Sequence, residues 1–273
     1  MTRLTPEHVR DIPKRIAQHD EEIKSRVGAS IAEIAERAVG LQRSLLEVLQ
    51  GHRAMVVPIT AGKGIIEGFA EAVASVLEYL GLSTEISRET DVAGFAEAIA
   101  KGCDIVFAAD DHVFAGFNFK LLRVSYNHEA TGKAYAAALD IKAGGLDGKP
   151  VALIGAGRVG SSAAKYLLAK KAIIYVYDVD EEKALRLAQC FPERIHVCHS
   201  IAEALSKSNL ILLAAPGVNV IPADFIGKDT IVSAPAIPIG LTREALSKLP
   251  KENLIHDPLE LGVATMVAEL VKD

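Results

Sequence analysis

Val151-Ala-Leu-Ile-Gly155-Ala-Gly157-Arg158-Val159-Gly160, followed after a helix-length gap by Ile173-Ile-Tyr-Val-Tyr177-Asp178, is the stretch on which the fold turns. An apolar run leads into G-x-G-x-x-G, and a second apolar run ends on an acid. The runs read as buried parallel strands. Gly155 allows a tight turn out of the first strand, Gly157 lets the backbone approach a pyrophosphate, and Gly160 lets the next helix pack close to the sheet. The phosphates would then sit at a helix N-terminus, where free N–H groups and the dipole favour anions, with Arg158 and Val159 inside the same loop. Asp178 can accept both ribose hydroxyls of NAD and repel the 2′-phosphate of NADP. The competing reading is a glycine turn that only packs a helix on a sheet.

Outward from this unit, α and β patterns alternate. Thr5-Pro6-Glu7-His8 is a helix start, and residues 29–50 carry apolar residues at helical spacing. Residues 54–59 read as a strand, 65–79 as a helix, 83–87 as a strand, 92–100 as a helix and 104–109 as a strand, so the spacing predicts a small α/β domain with parallel strands. Residues 112–131 carry no regular pattern, and 131–143 read as an Ala-rich helix. The expected fold class is α/β: a helical N-terminal segment plus a small α/β domain, followed by a Rossmann dinucleotide-binding domain. The expected boundaries are 1–130 for the substrate domain, 131–150 for a linking helix and linker, and 151–273 for the NAD-binding domain, whose last helix is expected from about residue 262.

The composition suits an enzyme of small molecules. The chain has 273 residues, of which 50% are hydrophobic and 5% aromatic, enough to bury a large core of Ala, Val, Ile and Leu. A net charge of −5 argues against nucleic acid as the main partner. Cys103, Cys190 and Cys198 have no metal-type spacing and read as reduced cytosolic thiols. No signal-type segment or membrane-length apolar run is present, so a cytoplasmic protein with no membrane partner and no metal is expected.

Ligands of open α/β sheets bind beyond the carboxyl ends of the strands. In the dinucleotide domain those loops are Ala214-Ala215-Pro216-Gly217 and Ser233-Ala234-Pro235-Ala236, small enough for a nicotinamide ribose to lie against the backbone, and the acidic loop Asp257-Pro258-Leu259-Glu260. In the first domain they are Thr60 to Gly64 and Asp110-Asp111-His112. Paired acids after a strand suit an ammonium or a proton relay; a solvated strand cap is the other reading. His112, His128 and His256 lie near these loops.

With these stretches in view, the chain resembles the pyrrolysine synthase family, PylD, nearly end to end. The resemblance is carried by Leu4-Thr-Pro-Glu7, Val57-Pro-Ile-Thr-Ala-Gly-Lys63-Gly-Ile65-Ile66, Ala109-Asp110-Asp111, the glycine loop with Tyr177-Asp178, Ala215-Pro216-Gly217, Ser233-Ala234-Pro235 and Asp257-Pro-Leu-Glu-Leu-Gly262. It implies oxidation by NAD of the side-chain amine of lysine-Nε-(3-methyl-D-ornithine), with ring closure and loss of ammonia. It also implies that Asp110, with Asp111, orients the reacting ammonium. Asp257 would close the other side, Ile65 and Ile66 would form an apolar wall, and Leu4 with the first helix would fold over the site. The chain departs from the family at Asp257, where the family carries glutamate, at Ala61 (serine) and at Lys63 (asparagine). Lys63 would repel an ammonium, or pair with Asp110 or Asp111, or hold a substrate carboxylate. Two other readings stay open: an α-amino-acid or opine-type dehydrogenase that uses Lys63, and a non-catalytic NAD-binding sensor.

Overall fold

The computed structural model describes residues 4–272. The chain opens with α1 (Pro6–Val9), α2 (Ile12–Val27), α3 (Ile31–Val39) and α4 (Leu45–Leu49). Ser30 accepts a bond from the Glu33 N–H while Glu33 reaches back to the Ser30 N–H, a reciprocal cap that fixes the start of α3. Then come β1 (Arg53–Val57), α5 (Phe69–Tyr79), β2 (Ser83–Ile86), α6 (Asp91–Ala100), β3 (Ile105–Ala109), β4 (Phe114–Asn118), β5 (Arg123–Tyr126) and the long α7 (Asn127–Lys142). The second half runs β6 (Pro150–Ile154), α8 (Arg158–Ala169), β7 (Ile173–Tyr177), α9 (Glu181–Cys190), β8 (Ile195–Val197), α10 (Ile201–Ser206), β9 (Leu210–Leu213), β10 (Ile231–Ser233), α11 (Arg243–Lys248), β11 (Leu254–Ile255) and α12 (Glu260–Val271).

The second sheet has strand order β11-β10-β9-β6-β7-β8 with every pair parallel. Two βαβ halves thus diverge at β6 and β9, the arrangement that opens a dinucleotide crevice at the carboxyl ends of those strands. The first sheet has order β2-β1-β3-β4-β5. Its β1, β2 and β3 are parallel as expected, but β4 and β5 are antiparallel. The all-parallel expectation for this domain is therefore corrected, and residues 112–131, expected to be irregular, hold two strands and the start of α7. Gly116 broke the pattern that would have revealed β4. A side chain there would meet Leu270 at 2.8 Å and the Phe107 ring at 2.9 Å, so the apolar cover comes from its neighbours. The helix expected from residue 65 starts at Phe69, after a turn in which Gly68 has φ of 81°.

Two buried helices bind the halves together. α7 is an Ala-rich rod whose Ala134 and Ala136 to Leu139 are all fully buried. Gly132 lies where α7 crosses α8, and a Cβ there would strike the Val159 carbonyl and stand 2.8 Å from the Ala163 nitrogen. α12 leaves the second sheet and packs back on α3, α5 and α7 and on β4 and β5. Asn118 Nδ2 donates to the Leu270 carbonyl at 3.0 Å, and Lys133 pairs with Glu269 at 2.6 Å. Buried Asp140 on α7 is held by Arg37 from α3 at 3.0 Å and by the Tyr166 hydroxyl from α8 at 3.0 Å, so a carboxylate at the centre of the packing is paired rather than stranded.

Gly132→Ala tests this crossing. Forcing a methyl group between α7 and α8 should destabilise the fold by about 1–3 kcal/mol, read from urea unfolding. An unchanged midpoint would mean that the two helices can move apart freely.

Candidate active site

The glycine loop behaves as its spacing requires. Gly155 has φ of 101°, and a Cβ on it would stand 2.8 Å from the Ala215 nitrogen. A Cβ on Gly160 would strike the Gly155 carbonyl. On Gly157 a Cβ would meet nothing within 4 Å, so this is the open side of the loop, facing the start of the twelve-residue α8. Two glycines are thus needed by the protein's own packing, and the third leaves room for a ligand. Asp178, half-buried at the end of β7, accepts the Ala156 N–H at 2.7 Å and the Asp180 N–H at 2.9 Å. That holds the carboxylate against the loop, at the place where a ribose would lie. The residues present therefore fit a dinucleotide.

A cleft of about 420 Å³ opens beside this loop. The dinucleotide half contributes Gly157, Arg158, Val159, Ala214, Pro216, Pro235, Ala236 and Ile237, and the first half contributes Asp110, Asp111 and His112. Leu4, Ile65, Ile66, Phe69, Val113 and Phe114 form an apolar wall, with Phe69 and Phe114 packed edge to face at 5.2 Å. Pro258 and Leu259 close one side. Ala215 and Ala234 do not line the cleft; Ala234 is fully buried and donates its N–H to the Ile255 carbonyl at 2.9 Å.

The acid loop is a tight turn. Asp110 Oδ1 accepts the N–H groups of Val113 and His112, each at 2.7 Å. These bonds hold its carboxyl below the usual carboxylate range. Asp111 accepts the Lys63 backbone N–H at 2.7 Å, and the Gly62 turn lies so close that a Cβ there would strike its carboxylate. The bond between Asp111 and Lys63 thus runs through the peptide group. The Lys63 side chain is exposed and outside the cleft lining.

Asp257 differs from expectation. It was expected to meet Asp110 across the cleft, but its side chain turns inward, only 3% exposed, while Pro258 and Leu259 face the cleft. The reason is local bonding. Its carboxylate accepts the Leu261 N–H at 3.2 Å, and the Tyr135 hydroxyl donates to its carbonyl at 2.7 Å while accepting its N–H at 2.8 Å. Glu260, fully buried, lies beside it and is reached by Arg15 from α2 at 3.2 Å. Burial, and then Glu260, push the Asp257 carboxyl well above its ordinary range. His19, Asp257 and Glu260 bring ligand atoms within 4.8 Å of one another, the one group among the described residues able to hold a metal ion. A proton kept on Asp257, with the Arg15 guanidinium on Glu260, meets the same charge without a metal.

His128, one of the three histidines expected near the cleft loops, lines the cleft, and Asn127 and Thr131, which the sequence reading did not single out, line it too. They sit at the first turn of α7, with Asn127 and Thr131 four residues apart on one face. Recognising β5 would have exposed them, since loops and helix starts after a strand end face the crevice.

Residues 8–125 match the family model described as pyrrolysine biosynthesis protein PylD, N-terminal domain, and residues 137–224 match that of shikimate / quinate 5-dehydrogenase. The chain is 29% identical to the pyrrolysine synthase of Methanosarcina acetivorans, over 99% of this chain and 100% of that one. It is also 29% identical to the pyrrolysine synthase of Methanosarcina barkeri, over 98% and 97%. Shikimate dehydrogenase from Aquifex aeolicus aligns with a TM-score of 0.53 at 17% identity, over 80% of this chain and 91% of that one. Quinate dehydrogenase from Corynebacterium glutamicum, solved with NAD, aligns with a TM-score of 0.53 at 13% identity, over 80% and 93%. At these identities the solved structures show a shared fold. No helix among the described residues is long and apolar enough to cross a membrane.

The buried acid pair predicts a pH dependence. The folded state keeps a proton on Asp257 that the unfolded chain gives up from about pH 4 upward. The folded state then binds more protons, so this group's contribution to stability is present at low pH and lost as pH rises through the raised folded value. Asp257→Asn removes the titration. Between about pH 4 and pH 7, urea midpoints of the wild type should fall relative to those of the variant. Two parallel curves would rule out the retained proton.

Proposed function

Because the chain is a divergent member of the PylD family, we propose that it is an NAD-dependent dehydrogenase that oxidises a side-chain primary amine, with lysine-Nε-(3-methyl-D-ornithine) as the first substrate to test. A dehydrogenase of the PylD kind is given by the family; the choice of NAD and of an amine is this proposal. One observation carries it: a single cleft is lined by the glycine loop on one side and by the Asp110–Asp111 turn on the other, with an apolar wall between. Such a cleft suits a substrate that is greasy along its length and cationic at its reacting end.

Bound NAD would supply the hydride acceptor. The open face at Gly157 and the N-terminus of α8 would hold the pyrophosphate, and Asp178 would take the ribose hydroxyls. Arg158, Val159 and Gly160 would complete that loop, and Pro216 and Pro235 would shape the nicotinamide end. Asp110 would hold the ammonium as a fixed ion pair, its second oxygen remaining for the ligand once Oδ1 is committed to the turn. Asp111 would brace that turn through Lys63. Ile65, Ile66 and Leu4 would exclude water from the reacting carbon. Asp257, from its buried position, would set the Pro258–Leu259 edge of the cleft as a positioning residue.

The acid loop speaks against a mere NAD sensor, which needs no carboxylate at the substrate end. The direct test is NADH absorbance with the isopeptide and a panel of other amines. NADH from α-amino acids alone would replace this reading with that of an amino-acid dehydrogenase. Asp110→Asn keeps shape and removes charge. It should cost about 10²-fold or more in kcat/KM with NAD affinity unchanged; full activity would return the turn to a plain strand cap.

Cofactor choice should follow Asp178. A 2′-phosphate facing a carboxylate, with lost hydrogen bonds, amounts to about 2–4 kcal/mol, or roughly 30- to 1000-fold in favour of NAD. Asp178→Ser should narrow the gap mainly by weakening NAD. Equal affinities in the wild type, measured by calorimetric titration, would refute the assignment.

A further inference from the structure

An amine with an ordinary pKa reaches the cleft as an ammonium ion. It has no free electron pair until it gives up a proton, and only then can its carbon release hydride. The acid turn is badly suited to take that proton. Asp110 is tied by two N–H groups that favour its charged form, so it attracts a cation without removing its proton. Asp111 is engaged with the Lys63 peptide. His112 is exposed, beside the acids. His256, mostly buried, is bonded through Nδ1 to the Ala234 carbonyl and lies outside the cleft lining.

His128 is placed differently. It is half-buried in the wall of the same cleft, at the second residue of α7. Its ring stacks on Tyr126 with centroids 5.8 Å apart and planes 28° apart, which restrains its orientation. Among the described residues no protein hydrogen bond engages either ring nitrogen, whereas His52, His199 and His256 each have a ring nitrogen in such a bond. The α7 start is held to the dinucleotide loop by the Ser162 hydroxyl, which donates to the Glu129 carbonyl at 2.7 Å, so His128 is fixed relative to the glycine loop. Burial lowers its pKa from the ordinary value; Glu129 beside it pulls upward and Arg158 at the start of α8 downward. The ring is therefore neutral, with a free lone pair, at neutral pH.

We propose that His128 is the proton acceptor of the reaction, taking a proton from the substrate ammonium while Asp110 holds the charge. This rests on the amine-oxidising reading given above. The N–H bond breaks and the proton moves to an imidazole nitrogen. The freed pair forms the C=N bond as the neighbouring carbon gives its hydride to the nicotinamide acceptor, so two electrons leave the amine and two arrive on NAD. The two functions thus fall on different groups of one cleft: a carboxylate held in its charged form binds, and a neutral imidazole deprotonates.

The test is His128→Gln, with His128→Asn as a second variant, assayed by NADH absorbance from acid to alkaline pH. Wild-type kcat/KM should fall on the acid side as one group protonates, and that limb should be missing from the variants. At neutral pH the variants should lose about 10²-fold, and the deficit should shrink as pH rises toward the pKa of the substrate amine, which then arrives already deprotonated. Added imidazole should restore part of the rate. NAD affinity and the unfolding midpoint should match the wild type, which a structural role for the ring would not allow. A wild type active on amines beside variants with an unchanged pH profile overturns the role of His128 alone. Absence of NADH formation from every amine in the wild type overturns both this role and the reading beneath it.

Discussion

Gly132 lies against the Val159 carbonyl with no room for a methyl group, and the functional geometry depends on that approach. α7 joins the two sheets in sequence and starts at the cleft; α8 carries the glycine loop at its own start. Because the helices can touch backbone to backbone, both N-termini open on one cavity. Gly262 repeats the device where α12 meets α7: a Cβ there would stand 2.8 Å from Asn127 Nδ2 and Thr131 Oγ1. Small residues at crossings thus bring the dinucleotide loop, the α7 wall and the Pro258–Leu259 edge within reach of one ligand.

Charge is divided by depth. Among the described residues the buried acids are all answered: Asp20 by the Tyr79 hydroxyl and the Ile31 N–H, Asp140 by Arg37 and Tyr166, Glu260 by Arg15, and Asp257 by its retained proton and a backbone N–H. An unanswered charge at such depth would cost more than a small domain can spare. At the cleft the opposite holds. Asp110 is exposed and kept ionised by N–H groups of its own turn, so its charge remains for a ligand. The interior thus uses its carboxylates to hold helices together, and in the proposed reaction the cleft would use its own to meet a substrate.

Much of this was legible along the chain. The glycine loop, its strand and Asp178 could be read because each requirement is local: a turn, a close helix, an acid at a strand end. The acid turn could be read as following a strand. The β4–β5 pair could not, because Gly116 removes the alternation that marks a strand and its apolar cover comes from Leu270 and Phe107. With that pair hidden, the first turn of α7 was hidden too, so Asn127 and Thr131 had no place on a wall and His128 could be placed only near the loops. Asp257 misled for a related reason. A loop acid after a strand is usually solvated, but here the Leu261 N–H and neighbouring Glu260 draw it inward.

By itself the sequence determined the class of fold, the glycine loop, the acid turn and the resemblance to the PylD family, since these rest on neighbours a few residues apart and on patterns that local chemistry enforces. Tertiary structure alone decided which side chains share the cleft. It brought Leu4, Phe69 and Arg158 to one cleft, turned the Asp257 side chain inward, left the Lys63 side chain outside the lining, and put His128 in the same cleft as the acids. The physical reason is that these placements follow from helix crossings between residues far apart in the chain. Whether two backbones can approach there depends on a missing Cβ and on long-range packing, which no short stretch of sequence encodes.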